Sequence, residues 1–306
     1  MKYAGLQAQI WKNNTRSIIL LILFPLVLFS LVFIFFLIYG YIEPDLEIDP
    51  LNGFLLALPW IAAGVLLWFI IAYNSHTSMI SRATGSRSLE RKENKRVYNL
   101  VENLTIATGM KMPAVNVIED DSLNAFASGI NEKTYTVSLS RGIIDKLDDE
   151  ELEAVIAHEL THIRNRDVRL LVVSIIFVGI FAFLTEALLR SIRFGGRGNK
   201  KGGAAIIIVI LLAAFGWLLT SIFRFALSRK REYMADAGAV EITKNPSAMA
   251  SALRKVSVDS RIEAVQRKDV AQMFIDNPGE KKKVSFSSMF ATHPPIEKRI
   301  RILEQF

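Results

Sequence analysis

The sequence contains no cysteine, and only four of its 306 residues are histidine. Disulfide bonds and thiolate metal ligands are therefore excluded. The net charge is +7, yet no nucleic-acid-binding motif accompanies the basic residues. They flank apolar segments instead, as in "GSRSLERKENKR" (85–96), where basic side chains meet anionic lipid headgroups. A lipid bilayer is the expected partner, and nucleic acid is not.

Long hydrophobic runs are abundant, and hydrophobic residues make up 51% of the chain. They concentrate in four blocks of about 20 residues, the length at which a helix crosses a hydrocarbon core of roughly 30 Å. The first block is too long for a signal peptide and no small-residue cleavage site follows it, which predicts a retained anchor. The four blocks are residues 17–41, 53–73, 170–189 and 204–225.

Charge asymmetry predicts how these blocks are oriented. The first connecting loop, residues 41–52, has four acidic residues and no lysine or arginine, so we expect it outside and the N-terminus inside. The loop at residues 190–203 carries five basic residues, which contradicts the rule if both flanking blocks span. Two spanning helices are preferred, and a hairpin that dips into one leaflet is the alternative. Both leave residues 74–168 and 226–306 on the cytoplasmic side.

The polar region after the second block predicts a small sheet followed by a capped helix. Asp148 and Glu151 stand three apart in the pattern of a capping box, and apolar residues recur behind them at helical spacing. Three short runs are typical of strands, the last two joined by a turn at "INEK". We expect strands at residues 113–119, 123–129 and 134–140, and helices at 88–109 and 148–165.

The second of these helices carries the motif "HELTH". His158 and His162 stand four apart, so a helix directs both imidazoles at one metal ion. Glu159 lies beside that point, where it can take a proton from an attacking water and pass it to a leaving amine. A bound zinc ion lowers the pKa of water to about 7, which permits amide hydrolysis at neutral pH. The motif predicts a hydrolytic zinc site rather than a chance cluster.

Two histidines need a third protein ligand, and "SRKREYMADAGAV" (228–240) offers one. Glu232 and Asp236 stand four apart on an expected helix. Glu232 would complete a site of two histidines and one glutamate, and Asp236 could accept a hydrogen bond from a ligand imidazole. A charged, solvated helix face explains the same spacing equally well.

The sequence resembles the HtpX family of membrane-bound zinc metalloproteases, relatives of the Ste24-type CAAX prenyl proteases. The likeness covers nearly the whole chain. Besides the paired apolar blocks it includes "LNAFASG", "HELTH" followed by "RNRD", "SRKREYMAD" and "THPP". It implies an α+β, predominantly helical integral membrane protein with four transmembrane helices and a cytosolic, gluzincin-like zinc protease domain that contains a small β-sheet. It also implies one Zn²⁺ per chain, with Glu232 as third ligand and Asp236 as its support.

Two further stretches gain candidate roles from this resemblance. An exposed edge strand next to the zinc would pair with the substrate backbone, although an ordinary core hairpin is an equal alternative. His293, in "THPP", would stabilise the developing oxyanion or act as a displaceable ligand, and a helix-capping histidine is its alternative. The residues of the candidate substrate-binding strand are Asn124, Ala125, Phe126, Ala127 and Ser128.

The expected organisation is a transmembrane hairpin at 1–73, a catalytic region at 74–168, a second hairpin at 169–225 and a C-terminal catalytic region at 226–306. The resemblance implies cleavage of damaged or misfolded membrane proteins at the cytoplasmic face of a bacterial inner membrane. A CAAX-type processing protease and a catalytically silent scaffold or chaperone are the alternatives. Four apolar blocks are fewer than the Ste24 type carries, and the intact Glu159 argues against a silent scaffold.

Overall fold

The computed structural model describes residues 6–42, 49–173, 230–257 and 294–306, with positions 190, 210–211 and 215. The chain forms two compact units. One comprises Met1–Thr15, His76–Val172 and Arg224–Phe306, and the other comprises Arg16–Ser75 and Val173–Phe223. All four described strands belong to the first unit.

Two long helices account for the first two apolar blocks. Helix α1 spans Leu6–Ile42 and helix α2 spans Pro50–Thr84, and within the described ranges these two are long and apolar enough to cross a membrane. Only 17% and 6% of their most apolar windows are buried, as expected for surfaces that face lipid. The two blocks at 170–189 and 204–225 lie almost entirely outside the described residues, so their spanning stays a prediction.

The sheet is mixed. Its strands are β1 (Ser86–Ser88), β2 (Ala114–Ile118), β3 (Ala125–Ser128) and β4 (Thr136–Ser140), and they lie in the order β1-β2-β4-β3. Strand β2 pairs in parallel with β4, whereas β1 and β3 pair antiparallel with β2 and β4. At the β3–β4 turn, Gly129 has a φ of 109°, and a Cβ there would collide with the backbone of Thr134. The three expected strands are confirmed, and β1 is an addition.

Capping residues delimit the next three helices. Helix α3 (Lys95–Thr108) ends at Gly109, which has a φ of 66°. Helix α4 (Arg141–Lys146) follows β4 directly. Helix α5 (Asp149–Arg164) begins with the expected capping box, in which Asp148 accepts from the Glu151 amide and Glu151 accepts from the Asp148 amide. The prediction of α5 is confirmed. The helix expected over residues 88–109 ends as predicted but begins only at Lys95, because the side chain of Asn94 caps it there by accepting from the Val97 amide.

The last three helices are α6 (Lys230–Thr243), α7 (Pro246–Val256) and α8 (Ile296–Leu303). Helix α5 lies at the centre of the first unit and contacts β3, α3, α6 and α7. Its contact with α6 is close, because a Cβ at Gly238 would collide with the side chain of Thr161 on α5. Helix α8 contacts α6 and α7 from the other side. The absence of a side chain at Gly238 therefore lets helices α5 and α6, which both carry polar side chains, approach each other closely.

Candidate metal centre

Helix α5 presents its two histidines to one point, as their spacing predicts. The ring centroids of His158 and His162 are 4.8 Å apart, and their Nε2 atoms are separated by 3.2 Å. His158 and Glu159 are buried, and the side chain of His162 is 12% exposed. The pair is thus shielded from bulk solvent on the His158 side and still reachable at His162.

Helix α6 brings Glu232 to the same point. Its Oε2 lies 3.8 Å from His158 Nε2, and its Oε1 lies 3.8 Å from His162 Nε2. The candidate ligand atoms of the three residues all lie within 4.8 Å of one another. Glu232 and Asp236 are buried, so the alternative of a solvated helix face is wrong.

The donor set fits zinc. Tetrahedral zinc with bonds of about 2.0–2.1 Å needs ligand atoms about 3.3 Å apart, and the observed 3.2 and 3.8 Å separations bracket that value. Each histidine has its Nδ1 beside a carboxylate, which leaves both Nε2 atoms as the ligand atoms. His158, His162 and Glu232 are therefore the described residues that could hold the ion.

Two aspartates orient the imidazoles. Asp236 Oδ1 lies 3.0 Å from His158 Nδ1, as the spacing argument allowed. Asp167 Oδ2 lies 3.1 Å from His162 Nδ1, an interaction the sequence analysis did not assign although Asp167 ends the "RNRD" stretch. The signal for it was an acidic residue five positions after the second histidine.

Arg299 on α8 holds Asp236 with two hydrogen bonds. Its Nε donates to Asp236 Oδ2 at 2.8 Å and its Nη2 donates to Oδ1 at 2.6 Å, while Nη1 lies 3.8 Å from Glu232. The arginine is 1% exposed. The sequence analysis missed this residue. The available signal was its position on the same helix face as the buried Leu303, where the helical pattern predicts an apolar side chain rather than an arginine.

The buried charges around the imidazoles leave a deficit that a divalent cation would fill. Four of the buried carboxylates among the described residues lie around the imidazoles together with two buried guanidinium groups, which leaves a net charge of −2 when all six groups are ionised and both imidazoles are neutral. Buried charges are stable only when they are paired or bound to metal. The charge balance therefore supports a divalent ion independently of the distances. The groups are Glu159, Asp167, Glu232, Asp236, Arg231 and Arg299.

The pKa values of His158, Asp236 and Glu159 are shifted by burial and by these neighbouring charges. Burial lowers the pKa of His158, but the carboxylates of Asp236 and Glu232 outweigh it and raise that pKa to about 9. Burial raises the pKa of Asp236, yet Arg299 outweighs burial and lowers it to about 2, so the carboxylate stays ionised. Burial raises the pKa of Glu159 above its ordinary value, as suits a group that must accept and return a proton.

Strand β3 lies beside Glu159, because the backbone of Ala127 hydrogen-bonds the Glu159 carboxylate. The amide of Ser140 donates to the Asn124 carbonyl, so Asn124 directs its backbone groups at strand β4. Because these groups alternate in direction along a strand, the backbone N–H and C=O groups of Ala125 and Ala127 face the outer edge of the sheet. The whole strand from Asn124 to Ser128 is buried. The expected edge position is confirmed, and the expected exposure is wrong, because helix α5 packs against the strand. His293 lies outside the described residues, and its role stays a prediction.

Replacing Arg299 with alanine is expected to destabilise the fold by about 3–5 kcal/mol, because it leaves the Asp236 carboxylate buried and unpaired. Zinc affinity should fall by about 10–100-fold through the loss of His158 orientation. Thermal unfolding and chelator competition in detergent measure the two effects. Arg301, an exposed arginine on the same helix, is the matched control, and Arg301→Ala should leave both quantities unchanged. Equal behaviour of the two variants would show that Arg299 has no supporting role.

Comparison with known proteins agrees with this geometry. Residues 91–306 match the model of a family described as Peptidase family M48. A protease HtpX homolog from Bacteroides fragilis is 58% identical over 322 residues, with 100% of both chains covered. Another, from Dictyoglomus thermophilum, is 39% identical and covers 78% of this chain and 81% of its own length.

The fold is also found in a solved structure. The crystal structure of S. mikatae Ste24p superposes with a TM-score of 0.51 at 19% identity, covering 96% of this chain and 66% of that one. At that identity the likeness concerns the fold alone. The family match covers more than half of the chain and includes both histidines of α5 as well as Glu232 and Asp236 of α6. The chain therefore belongs to peptidase family M48, as a membrane metalloprotease of the HtpX type.

Proposed function

We propose that the chain is a zinc-dependent endopeptidase that cleaves misfolded or damaged membrane proteins at the cytoplasmic face of a bacterial inner membrane. The observation that carries the proposal is the convergence of His158, His162 and Glu232 beside Glu159. Helix α5 ends six residues before the third apolar block, and α6 begins five residues after the fourth. Both catalytic helices thus lie next to membrane segments in the chain, which favours substrates that are themselves in the membrane.

The chemistry follows from the residues that face the site. Zinc, when bound, polarises the scissile carbonyl and makes water acidic enough to ionise near neutral pH. Glu159 accepts a proton from the attacking water as that water adds to the carbonyl carbon. The same carboxyl then donates the proton to the amide nitrogen as the C–N bond breaks, so the products are a carboxylic acid and a free amine. Asp167 and Asp236 hold the imidazoles through this cycle.

Strand β3 is proposed to bind the substrate through its main chain. The outer edge of β3 reaches Glu159 at the backbone of Ala127, and an extended peptide could add to this edge as a further strand. Main-chain pairing imposes little sequence preference, which suits an enzyme that must accept many damaged proteins. His293 is proposed to act beside the zinc, either on the oxyanion or as a displaceable ligand.

The proposed topology has four spans, with hairpins at 1–73 and 169–225 and the catalytic regions at 74–168 and 226–306 in the cytoplasm. Because the chain has no cysteine, single cysteines at Leu46, Asn94 and Asn199 can be tested one at a time with an impermeant thiol reagent in intact cells. We expect labelling at positions 46 and 199 and none at 94. Protection at position 199 would replace the second spanning pair with a hairpin that enters from the cytoplasmic side.

The function is tested by cleavage of a purified membrane protein supplied both in its folded form and as a destabilised variant. The metal-depleted enzyme should be inactive, zinc should restore cleavage, and the destabilised substrate should be cut faster. A farnesylated CAAX peptide serves as the comparison substrate. Preference for that peptide over its unprenylated form would identify a CAAX-type processing enzyme instead. Binding of the destabilised protein without any zinc-dependent cleavage would identify a scaffold or chaperone.

A further inference from the structure

A buried chain of hydrogen bonds connects helix α1 with the candidate metal centre. The side-chain amide of Asn13 donates from Nδ2 to Asp167 Oδ1 at 2.6 Å and to the carbonyl of Asn165 at 2.9 Å. The other oxygen of Asp167 lies 3.1 Å from Nδ1 of His162. Asn13 and Asp167 are 2% and 1% exposed, so water does not compete for these bonds.

The residue between the two acceptors of Asn13, the Asn165 carbonyl and the Asp167 carboxylate, has an uncommon backbone conformation. Asn165 ends α5, and Arg166 has a φ of 58°, a left-handed conformation that side-chain-bearing residues adopt at some cost. The two bonds from Asn13 bracket this residue, one on the carbonyl before it and one on the side chain after it. The amide of Asn13 therefore holds the turn in which the Asp167 carboxylate is directed back at His162.

We propose that Asn13 is a positioning residue for the metal centre, acting through Asp167 on the ring of His162. One Asp167 oxygen accepts from Asn13 while the other accepts from the imidazole Nδ1–H, so the carboxylate is fixed at both ends. Helix α1, which contains the candidate membrane span Ile10–Ile38, thus contributes a side chain to the site. This inference rests on the proposed zinc ligands and extends the support of His162 by one residue.

A purely structural role is the competing explanation, since the same amide also satisfies the carbonyl at the end of α5. The two roles differ in what they affect. A structural role lowers the temperature of unfolding and leaves the zinc affinity of the folded protein unchanged. A positioning role changes zinc affinity, and it does so only while Asp167 is present to transmit the effect.

The experiment is a double-mutant cycle on the full chain in detergent, with the zinc dissociation constant measured by chelator competition. Asp167→Ala should weaken zinc binding by about 10–100-fold, and Asn13→Ala, one contact further away, by roughly 3–10-fold. Asn13→Asp retains the shape but removes the donor, and should weaken binding at least as much. In the Asp167→Ala background, Asn13→Ala should add less than about twofold, because coupled residues are not additive.

Asn14→Ala is the matched control, because within the described ranges the side-chain oxygen of Asn14 has no hydrogen-bond partner. It should bind zinc as the wild type does. The visible spectrum of the cobalt-substituted protein is a second readout, and it should change in Asn13→Ala and stay unchanged in Asn14→Ala. A folded Asn13→Asp protein with wild-type zinc affinity and cobalt spectrum would overturn the proposal.

Additive effects of Asn13→Ala and Asp167→Ala on zinc affinity would also overturn it, since they would mean that Asn13 does not act through the aspartate. His162→Ala separates this inference from the function on which it rests. If His162→Ala keeps wild-type zinc affinity, the proposed ligand set fails. If His162→Ala loses zinc while the Asn13 variants keep it, the ligand set stands and only the positioning role of Asn13 fails.

Discussion

The Glu159→Gln protein is expected to bind zinc as the wild type does and to lose peptide hydrolysis by about 10²–10⁴-fold in kcat, the usual contribution of a general base. Glutamine retains the size of the buried side chain, but its amide cannot accept the proton of the attacking water. Turnover of a quenched peptide, measured together with zinc content, tests both halves of the statement.

Glu153→Gln supplies the control for this variant. Glu153 lies on the same helix, is partly exposed and is separated from the histidines by more than a turn, so its replacement should change neither zinc content nor kcat. Wild-type turnover by Glu159→Gln would remove Glu159 from the chemistry. A metal-free Glu159→Gln protein would instead make the residue a part of the zinc site itself.

The second large effect is expected at Glu232. Glu232→Ala removes a charged ligand and changes the buried charge from −2 to −1, so zinc affinity should fall by more than the roughly 10–100-fold that a supporting residue costs. Helix α6 holds this carboxylate rigidly against α5, which is the placement a permanent ligand needs. The exposed Glu241 on the same helix is the control, and Glu241→Ala should keep one zinc per chain.

His293→Ala completes the comparison. A hydrolytic zinc site keeps three protein ligands and leaves the fourth position for water. The variant is therefore expected to keep stoichiometric zinc and to change only turnover. A fall in kcat indicates oxyanion stabilisation, and a rise indicates an inhibitory fourth ligand. If His293→Ala were metal-free while Glu232→Ala stayed loaded, the roles of the two residues would be reversed.

Local pattern was sufficient for the central part of the site. The capping box at Asp148 and the spacing of "HELTH" predicted α5 and its paired imidazoles, because both depend on residues within one or two turns of each other. The same rule placed Glu232 and Asp236 on one helix, but their burial required the close approach of Gly238 to Thr161, which spacing does not reveal.

The supporting residues could not be predicted in the same way. Asp167 meets Asn13 across 154 residues and Asp236 meets Arg299 across 63, and neither separation has a periodicity that could be recognised. Strand β1 was missed because its three residues, "SRS", are polar and have none of the β-branched or aromatic side chains that mark a strand in the sequence. Strand β3 was expected to be exposed and is buried. The burial of so short a strand depends on which elements pack against it, and its own sequence does not reveal them.

The separation of 63 residues between Asp236 and Arg299 also has a consequence for when the enzyme becomes active. A ribosome that adds about 5–20 residues per second needs roughly 3–13 s to cover that stretch. During this interval both histidines and Glu232 have been synthesised, but the arginine that pairs with Asp236 has not. The nascent chain therefore carries the complete motif before its support, and we expect the fully oriented site, with its full zinc affinity, to form only once translation has passed Arg299.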